Sequence, residues 1–443
     1  MAAVASRGFD VVAVDVVQAT VDRLNAGEAP LFEPGLADML AANKARIRAT
    51  TDFDEAIQGS DLTFVIVPTP TDERGAFSLH FAAAAFQQIG LALANKDTYH
   101  TVVLTSTVLP GATRYHLLPI LEEYSGKRCG IDFGLCYSPE FIALGSVIHD
   151  FLNPDFTLIG EFDETSGALL ERSYEGIMLN AAPARRMSLE NAELAKIALN
   201  SYVTAKITFA NMLADLCERI PGGDVDVVCQ ALGLDKRIGR NYLKGALSYG
   251  GPCFPRDNAA LGFLAQALDG RAELYQTTDA LNRSRVPHVV DRLRPYLAQG
   301  HRVAVLGLAY KPQTQVVDKA AGVELAAKLA DFGCQVAVYD PLAMEQAKRE
   351  LGDAVEYAES VVECVGSAKV VVVAVADQAY AGLEASDFVP GAVVLDGWRL
   401  LRERLEHDSR VLYLAVGLAG EEPDLAERLS QVWAWSPEHA KLV

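Results

Sequence analysis

No apolar run in this sequence is long enough to cross a membrane, and no basic segment leads into an apolar stretch at its start. Those absences exclude a helical membrane protein and a secretory signal. No two cysteines are spaced C-x-x-C; the seven present are scattered, as expected of reduced thiols in a cytoplasm. Basic residues are in deficit: 39 Lys and Arg against 58 Asp and Glu give a net charge of −19. That balance argues against nucleic acid and acidic membranes as partners. An anionic ligand must be held by basic groups gathered locally. Short-period repeats and low-complexity tracts are absent as well. What remains is a soluble globular chain of 443 residues, half of them hydrophobic, long enough for two or three domains.

The first residues, "MAAVASRGFDVVAVDVV", read as the second half of a dinucleotide-binding βαβ unit. Gly8 stops a short helix, a β-branched run follows, and Asp15 closes it where an acid takes ribose hydroxyls. The Gly-x-Gly-x-x-Gly turn of such a unit lies about 20 residues before the acid. The expectation is therefore that strand and turn belong upstream of Met1, through an internal start or a cut chain, and that the sheet lacks a central strand. Apolar strands alternate with helical stretches to about Gly160 ("DVVAVDV", "LTFVIVPTP", "TVVLTST", "DFTLIG"), as a parallel sheet requires. Residues 188–218 are periodic and free of Pro and Gly, with Leu194, Ile197, Ala198 and Tyr202 on one stripe, so a long helix is expected. A second alternation runs through "HRVAVLGLAY", "CQVAVYDP", "AKVVVVAVAD" and "GAVVLDG". The fold class is α/β: two Rossmann-like, doubly wound domains joined by a helical middle. The boundaries expected are 1–185, 186–290 and 291–443.

The chemistry concentrates in "YLKGALSYGGPCFPRDN" (242–258). A lone cysteine is more often a small core residue. Here adjacent glycines, prolines and charges point to a loop that exposes Cys253, with Lys244 and Arg256 to favour its thiolate. Lys196 and Asn200 lie four apart and project from one helix face. A helix lysine is ordinarily solvated, yet one bordering a buried stripe can polarise an oxygen or take a proton. Thr107 and Glu140 follow strands, where ligands sit in open α/β sheets. Each alone is more readily a cap or a solvated acid.

Taken together, "VPTPTD" (67–72), "STVLPG" (106–111), "PEF…G" (139–145), "DFLNPD" (150–155), "AELAKIALN" (192–200), "GGPCFPRD" (250–257) and "GLAYKP" (307–312) resemble, in order and spacing, the UDP-glucose/GDP-mannose dehydrogenase family over nearly the whole chain. The resemblance implies NAD-dependent oxidation of the C6 hydroxyl of a nucleotide sugar, with two NAD per turnover and no metal. It implies that Cys253 carries a thiohemiacetal and then a thioester, that Lys196 and Asn200 stabilise the oxyanion, and that Asp257, Thr107 and Glu140 manage a water and its proton. It places Asp15, Val67, Pro68, Thr69, Thr107 and Arg256 on the cofactor. The substrate falls to Phe141, Lys196, Asn200, Asn241, Tyr242, Lys244, Gly250 and Lys311, with Arg237 reaching over from a neighbouring subunit. Also implied is a homodimer through the central helix.

Two departures bear on the sugar. Ala143 and Leu144 replace the Arg–Glu pair of the family's "PEFLREG", and "TQVVDKA" (314–320) lacks an arginine of the C-terminal motif. UDP-glucose is expected on base rates, with UDP-N-acetylmannosamine or UDP-N-acetylglucosamine as alternatives. Two rivals are a β-hydroxyacid dehydrogenase, which needs neither Cys253 nor residues 301–443, and a chain that binds sugar nucleotide without NAD.

Overall fold

The computed structural model describes residues 1–72, 75–420 and 424–433. The chain forms two compact units, Met1–Leu199 with Ala260–Gly270, and Asn200–Ala259 with Arg271–Val443.

In the first unit β1 (Val11–Val14) pairs in parallel with β2 (Ile47–Thr50) as a two-stranded sheet. A separate five-stranded sheet runs in the order β3 (Leu62–Val65), β4 (His100–Leu104), β5 (Phe133–Tyr137), β6 (Thr157–Glu161), β7 (Ala184–Ser188). Its core packs Phe86, Ile89 and Leu93 of the helix His80–Ala94 with Leu104, Phe133 and Leu135. The expected all-parallel sheet needs a correction, because β5 and β6 are antiparallel. Parallel neighbours need a crossover. The 138–156 connection instead holds an irregular loop and the short helix Val147–Leu152, and the chain turns back. Strands β2, β5 and β7 lie outside the runs read from sequence. β2 and β7 carry arginines (Arg48, Arg185, Arg186) that mask their alternation.

The second unit holds a six-stranded sheet with every pairing parallel, in the order β10-β9-β8-β11-β12-β13. These strands are β8 (Arg302–Leu306), β9 (Gln335–Tyr339), β10 (Glu356–Tyr357), β11 (Val370–Val373), β12 (Ala392–Asp396) and β13 (Val411–Ala415). The order reverses between β8 and β11, as in a doubly wound nucleotide-binding sheet. β11 and β12 are buried throughout, which accounts for their unbroken apolar runs.

The long helix spans Leu189–Cys217, 29 residues, within one residue of the expected bounds at each end. Its faces are not those expected. Ile197 is buried, but Leu194 is 42% and Tyr202 65% exposed. Half of what the helix buries is polar: Glu193, Lys196, Asn200, Ser201, Thr204, Thr208 and Asn211. Reading the apolar stripe as the inner one fails where a helix buries hydrogen-bonding groups and shows apolar ones outward.

Candidate active site

In the first unit two loops leave the C-terminal ends of neighbouring strands, β4 and β5. The β4 loop carries Thr107 and is laced to the segment after β3. Ser106 Oγ accepts from Val67 N at 2.8 Å and donates to Val67 O at 2.7 Å, while Thr69 Oγ1 donates to Thr107 O at 2.8 Å. Val67, Pro68, Thr69 and Thr107 are thus brought together. The β5 loop carries Glu140 and Phe141. Lys196 Nζ donates to Glu140 O at 2.5 Å and lies 4.5 Å from the centroid of the Phe141 ring. Lys196 is buried, so its ammonium is held by a carbonyl and an aromatic face rather than by bulk water. Burial pushes the Glu140 carboxyl above the usual carboxylate range, against the pull of the nearby Lys196 ammonium.

In the second unit the 242–258 stretch is irregular only to Cys253. Phe254 opens the helix Phe254–Ala267, so Arg256 and Asp257 sit in a helical first turn and not in the expected loop. Pro255 and Asp257 suit that position: proline gives up an N–H the first turn leaves unpaired, and the acid faces the positive end of the helix. Cys253 O accepts from Asp257 N at 2.8 Å, which places the thiol at the N-terminal end. It is exposed, and the other six cysteines are buried. Asp257 is fully buried; its carboxylate accepts from Asn200 Nδ2 at 2.6 Å and from Arg256 at 2.9 Å. Arg256 is therefore engaged with Asp257.

The glycine pair is sterically required. A Cβ on Gly250 would lie 2.3 Å from Lys319 O, and one on Gly251, at φ +84°, 2.7 Å from the Tyr310 ring. Tyr310 is next to Lys311, and burial pushes its phenol up to about 12, with Cys253 and Tyr242 adding to the rise. Tyr242 takes a left-handed φ of +60° and meets Phe254 edge-on at 5.9 Å. Lys244 Nζ stands 5.8 Å from the Trp398 ring. Asn241 is exposed, and Arg237 projects to solvent, where it pairs with Asp235 at 2.6 Å.

Sequence reasoning passed over the acids that hold these loops. Glu33 Oε1 and Oε2 accept from Val147 N (2.8 Å) and Gly145 N (2.9 Å) beyond Glu140. Glu193 accepts from Gly111 N and Thr113 N. Asp340 accepts from four backbone N–H groups, two of them leading into Tyr310–Lys311. The only signal was an acid inside an otherwise apolar motif, as in "AELAK" and "YDP".

Comparison with known proteins covers most of the chain. Residues 1–178, 190–284 and 304–403 match, in turn, the NAD binding domain, central domain and UDP binding domain of the UDP-glucose/GDP-mannose dehydrogenase family. The chain is 36% identical to a UDP-glucose 6-dehydrogenase of Haloferax volcanii over 92% of this chain and 96% of that one. It is 34% identical to a GDP-mannose 6-dehydrogenase of Pseudomonas aeruginosa over 76% of each. Its structure resembles that of a UDP-glucose dehydrogenase from Pyrobaculum islandicum with a TM-score of 0.86, 35% identity and 94% of each chain covered. The cofactor is NAD. Asp15 fits it: half-buried just past β1, it accepts from Val17 N through Oδ1, and among the described residues nothing engages Oδ2. With three successive domains matched and a relative this similar along almost its full length, the chain belongs to the UDP-glucose/GDP-mannose dehydrogenase family.

Proposed function

We propose that this chain oxidises the C6 hydroxyl of UDP-glucose to the carboxylate of UDP-glucuronate, a four-electron reaction with a covalent stage on Cys253. Bound NAD supplies the hydride acceptor, once for each of the two oxidations. Lys196 stabilises the alkoxide and later the oxyanion at C6, and Asn200 adds an amide donor to the same oxygen. The first oxidation leaves an aldehyde, which has no second hydride to give until a nucleophile makes it tetrahedral. The Cys253 thiolate adds to that carbon and the oxygen takes a proton, giving a thiohemiacetal. Loss of a hydride and of that proton leaves a thioester. Water then adds, the thiolate departs, and the carboxylate forms. Thr107 and Glu140 orient the water and take its proton, while Asp257 holds the Asn200 amide in place.

One observation carries the reading. Cys253 alone of seven thiols is exposed, at the start of a helix whose first turn buries Asp257 against Asn200. The match of 304–403 to a UDP binding domain supports a uridine nucleotide, held by Lys244 and Lys311. The near full-length similarity to a UDP-glucose 6-dehydrogenase supports glucose. On this reading residues 1–185 take NAD, 186–290 supply the central helix and the thiol, and 291–443 take the nucleotide. No described helix is long and apolar enough to cross a membrane, and we place the enzyme in the cytoplasm. Tyr202, Phe209 and Leu216, all exposed and spaced by seven, favour a homodimer through the central helix. Arg237, turned to solvent, would exchange Asp235 for the partner's sugar.

The test is NADH release across a panel of UDP- and GDP-sugars, with Cys253→Ser alongside. Two NADH per UDP-glucose, and little or no sugar acid from the folded variant, are expected. One NADH per sugar, turnover of GDP-mannose alone, or an unimpaired variant overturns the proposal.

A further inference from the structure

The carboxylate of Glu193 sits inside the first unit with no exposed surface, three residues before Lys196 on the central helix. Burial pushes its pKa upward. Its two oxygens accept from Gly111 N at 2.6 Å and Thr113 N at 2.9 Å. Those N–H groups stand at the opening of the helical segment that follows the Thr107 loop, where a helix leaves its first donors unpaired. Glu193 therefore caps a helix from 80 residues away in sequence, with a negative charge at its positive end. One turn earlier Glu190 pairs with Arg114 Nε at 2.5 Å, so the central helix grips Gly111–Arg114 twice. The other end of the loop is fixed by Ser106 and Thr69. Thr107 is left between two anchors, one of them on the helix that carries Lys196.

We propose that Glu193 is a positioning residue: it sets Thr107 relative to Lys196 and acts on the reaction through Thr107 rather than by touching substrate. This rests on the reading above, in which both groups serve one C6 oxidation. The alternative role, stability alone, has a different signature. A merely structural acid, when removed, lowers the melting temperature and the amount of active enzyme, and its effect adds to that of Thr107→Ala. A positioning acid lowers kcat with KM for the sugar nucleotide held, and its effect vanishes once Thr107 is gone.

The experiment is a double-mutant cycle with Glu193→Gln, Thr107→Ala and the pair, followed by NADH release from UDP-glucose. Glu193→Gln keeps an acceptor oxygen and the side-chain length; Glu193→Asp keeps the charge and shortens the reach. Both are checked for melting temperature. A displacement of about 1 Å can cost roughly 10²-fold in rate, and a kcat loss approaching that is expected for both variants. In the Thr107→Ala background the further loss should be under about twofold. Amide hydrogen exchange on the intact chain, which needs no turnover, should show faster exchange confined to 105–114 in Glu193→Gln. Losses that multiply across the cycle, or unchanged exchange at Gly111 and Thr113, overturn the proposal. If the wild-type chain oxidises no nucleotide sugar while the exchange result holds, the functional reading has failed and the anchoring has not.

Discussion

Asp15 and Asp340 occupy the same place in two parallel β-α-β arrangements, each just past the first strand of the pair. Asp15 follows β1, which pairs with β2; Asp340 follows β9, which pairs with β10. Their surroundings differ completely. Asp15 is half-buried and, among the described residues, accepts from Val17 N alone. Asp340 is buried and accepts from Leu308 N, Ala309 N, Leu342 N and Ala343 N at 2.8 to 3.0 Å. Two oxygens that already take four N–H groups have no lone pair left for a ribose. An acid at the end of a strand therefore announces a ligand only when its acceptor capacity is unspent. In the second unit that capacity goes into holding the loop that presents Tyr310 and Lys311.

The same criterion divides the other polar groups into those completed by ligand and those completed by their own fold, and the two kinds should fail differently. The largest effect is expected at Lys196. Removing an oxyanion donor costs roughly 10²–10³ in kcat, so Lys196→Ala should lose that much turnover in a steady-state assay. Unchanged turnover would show that the lysine only braces the Glu140 carbonyl.

Next comes Asp340→Ala, which strands several buried N–H groups at a cost of about 1–3 kcal/mol each where nothing replaces the acceptor. Urea unfolding should show a loss of roughly 3 kcal/mol or more. A loss below about 1 kcal/mol would mean that water or a shifted loop satisfies those groups, and the contrast with Asp15 would collapse.

Asp15→Ala should behave in the opposite way, with little change in unfolding. Hydrogen bonds to a charged group contribute about 1.5–3 kcal/mol, so NAD affinity measured by calorimetry should fall about 10–100-fold, while UDP affinity stays put. Equal loss of both nucleotides would sink the assignment.

The smallest effect is a pH dependence at Glu140. Its folded carboxyl titrates above the usual carboxylate range because it is buried. Activity that needs the carboxylate should rise with pH through that raised value, and Glu140→Gln should flatten this acid limb. Stability has the opposite sign. The folded state binds the proton more tightly than the unfolded one, so wild type should lose stability relative to Glu140→Gln as pH climbs from the ordinary carboxylate range to the raised value. A parallel pair of stability–pH curves would contradict it.

Much of this was legible in the sequence, for identifiable reasons. The central helix announced itself because 188–218 contains neither Pro nor Gly, and β8, β9, β11 and β12 are apolar runs of ordinary strand length. Thr107 and Glu140 could be singled out because ligands in open α/β sheets sit past the ends of strands. What stayed hidden depends on partners far away in sequence. Leu194 and Tyr202 look like core by periodicity, yet the helix buries Glu193, Lys196 and Asn200, whose partners come from elsewhere in the chain. The antiparallel β6 depends on where the 138–156 connection returns, which no local pattern encodes. Arg256 pairs with Asp257, a contact that the motif alone does not announce.

The crowding around Gly250 and Gly251 also sets the terms on which this loop can vary. Any side chain at either position must displace backbone at Lys319 or the ring of Tyr310, whereas the thiol two residues on is exposed. A randomised library across 250–253, sorted first for folded protein, should return glycine at the first two positions and nearly anything small at the fourth. Glycine at 250 and 251 would then answer to packing, and cysteine at 253, where we propose the bond to substrate, to the reaction. On the proposed function, selection for chemistry keeps that cysteine, and a descendant that abandons oxidation could lose it while the glycines and the scaffold they pack stay in place.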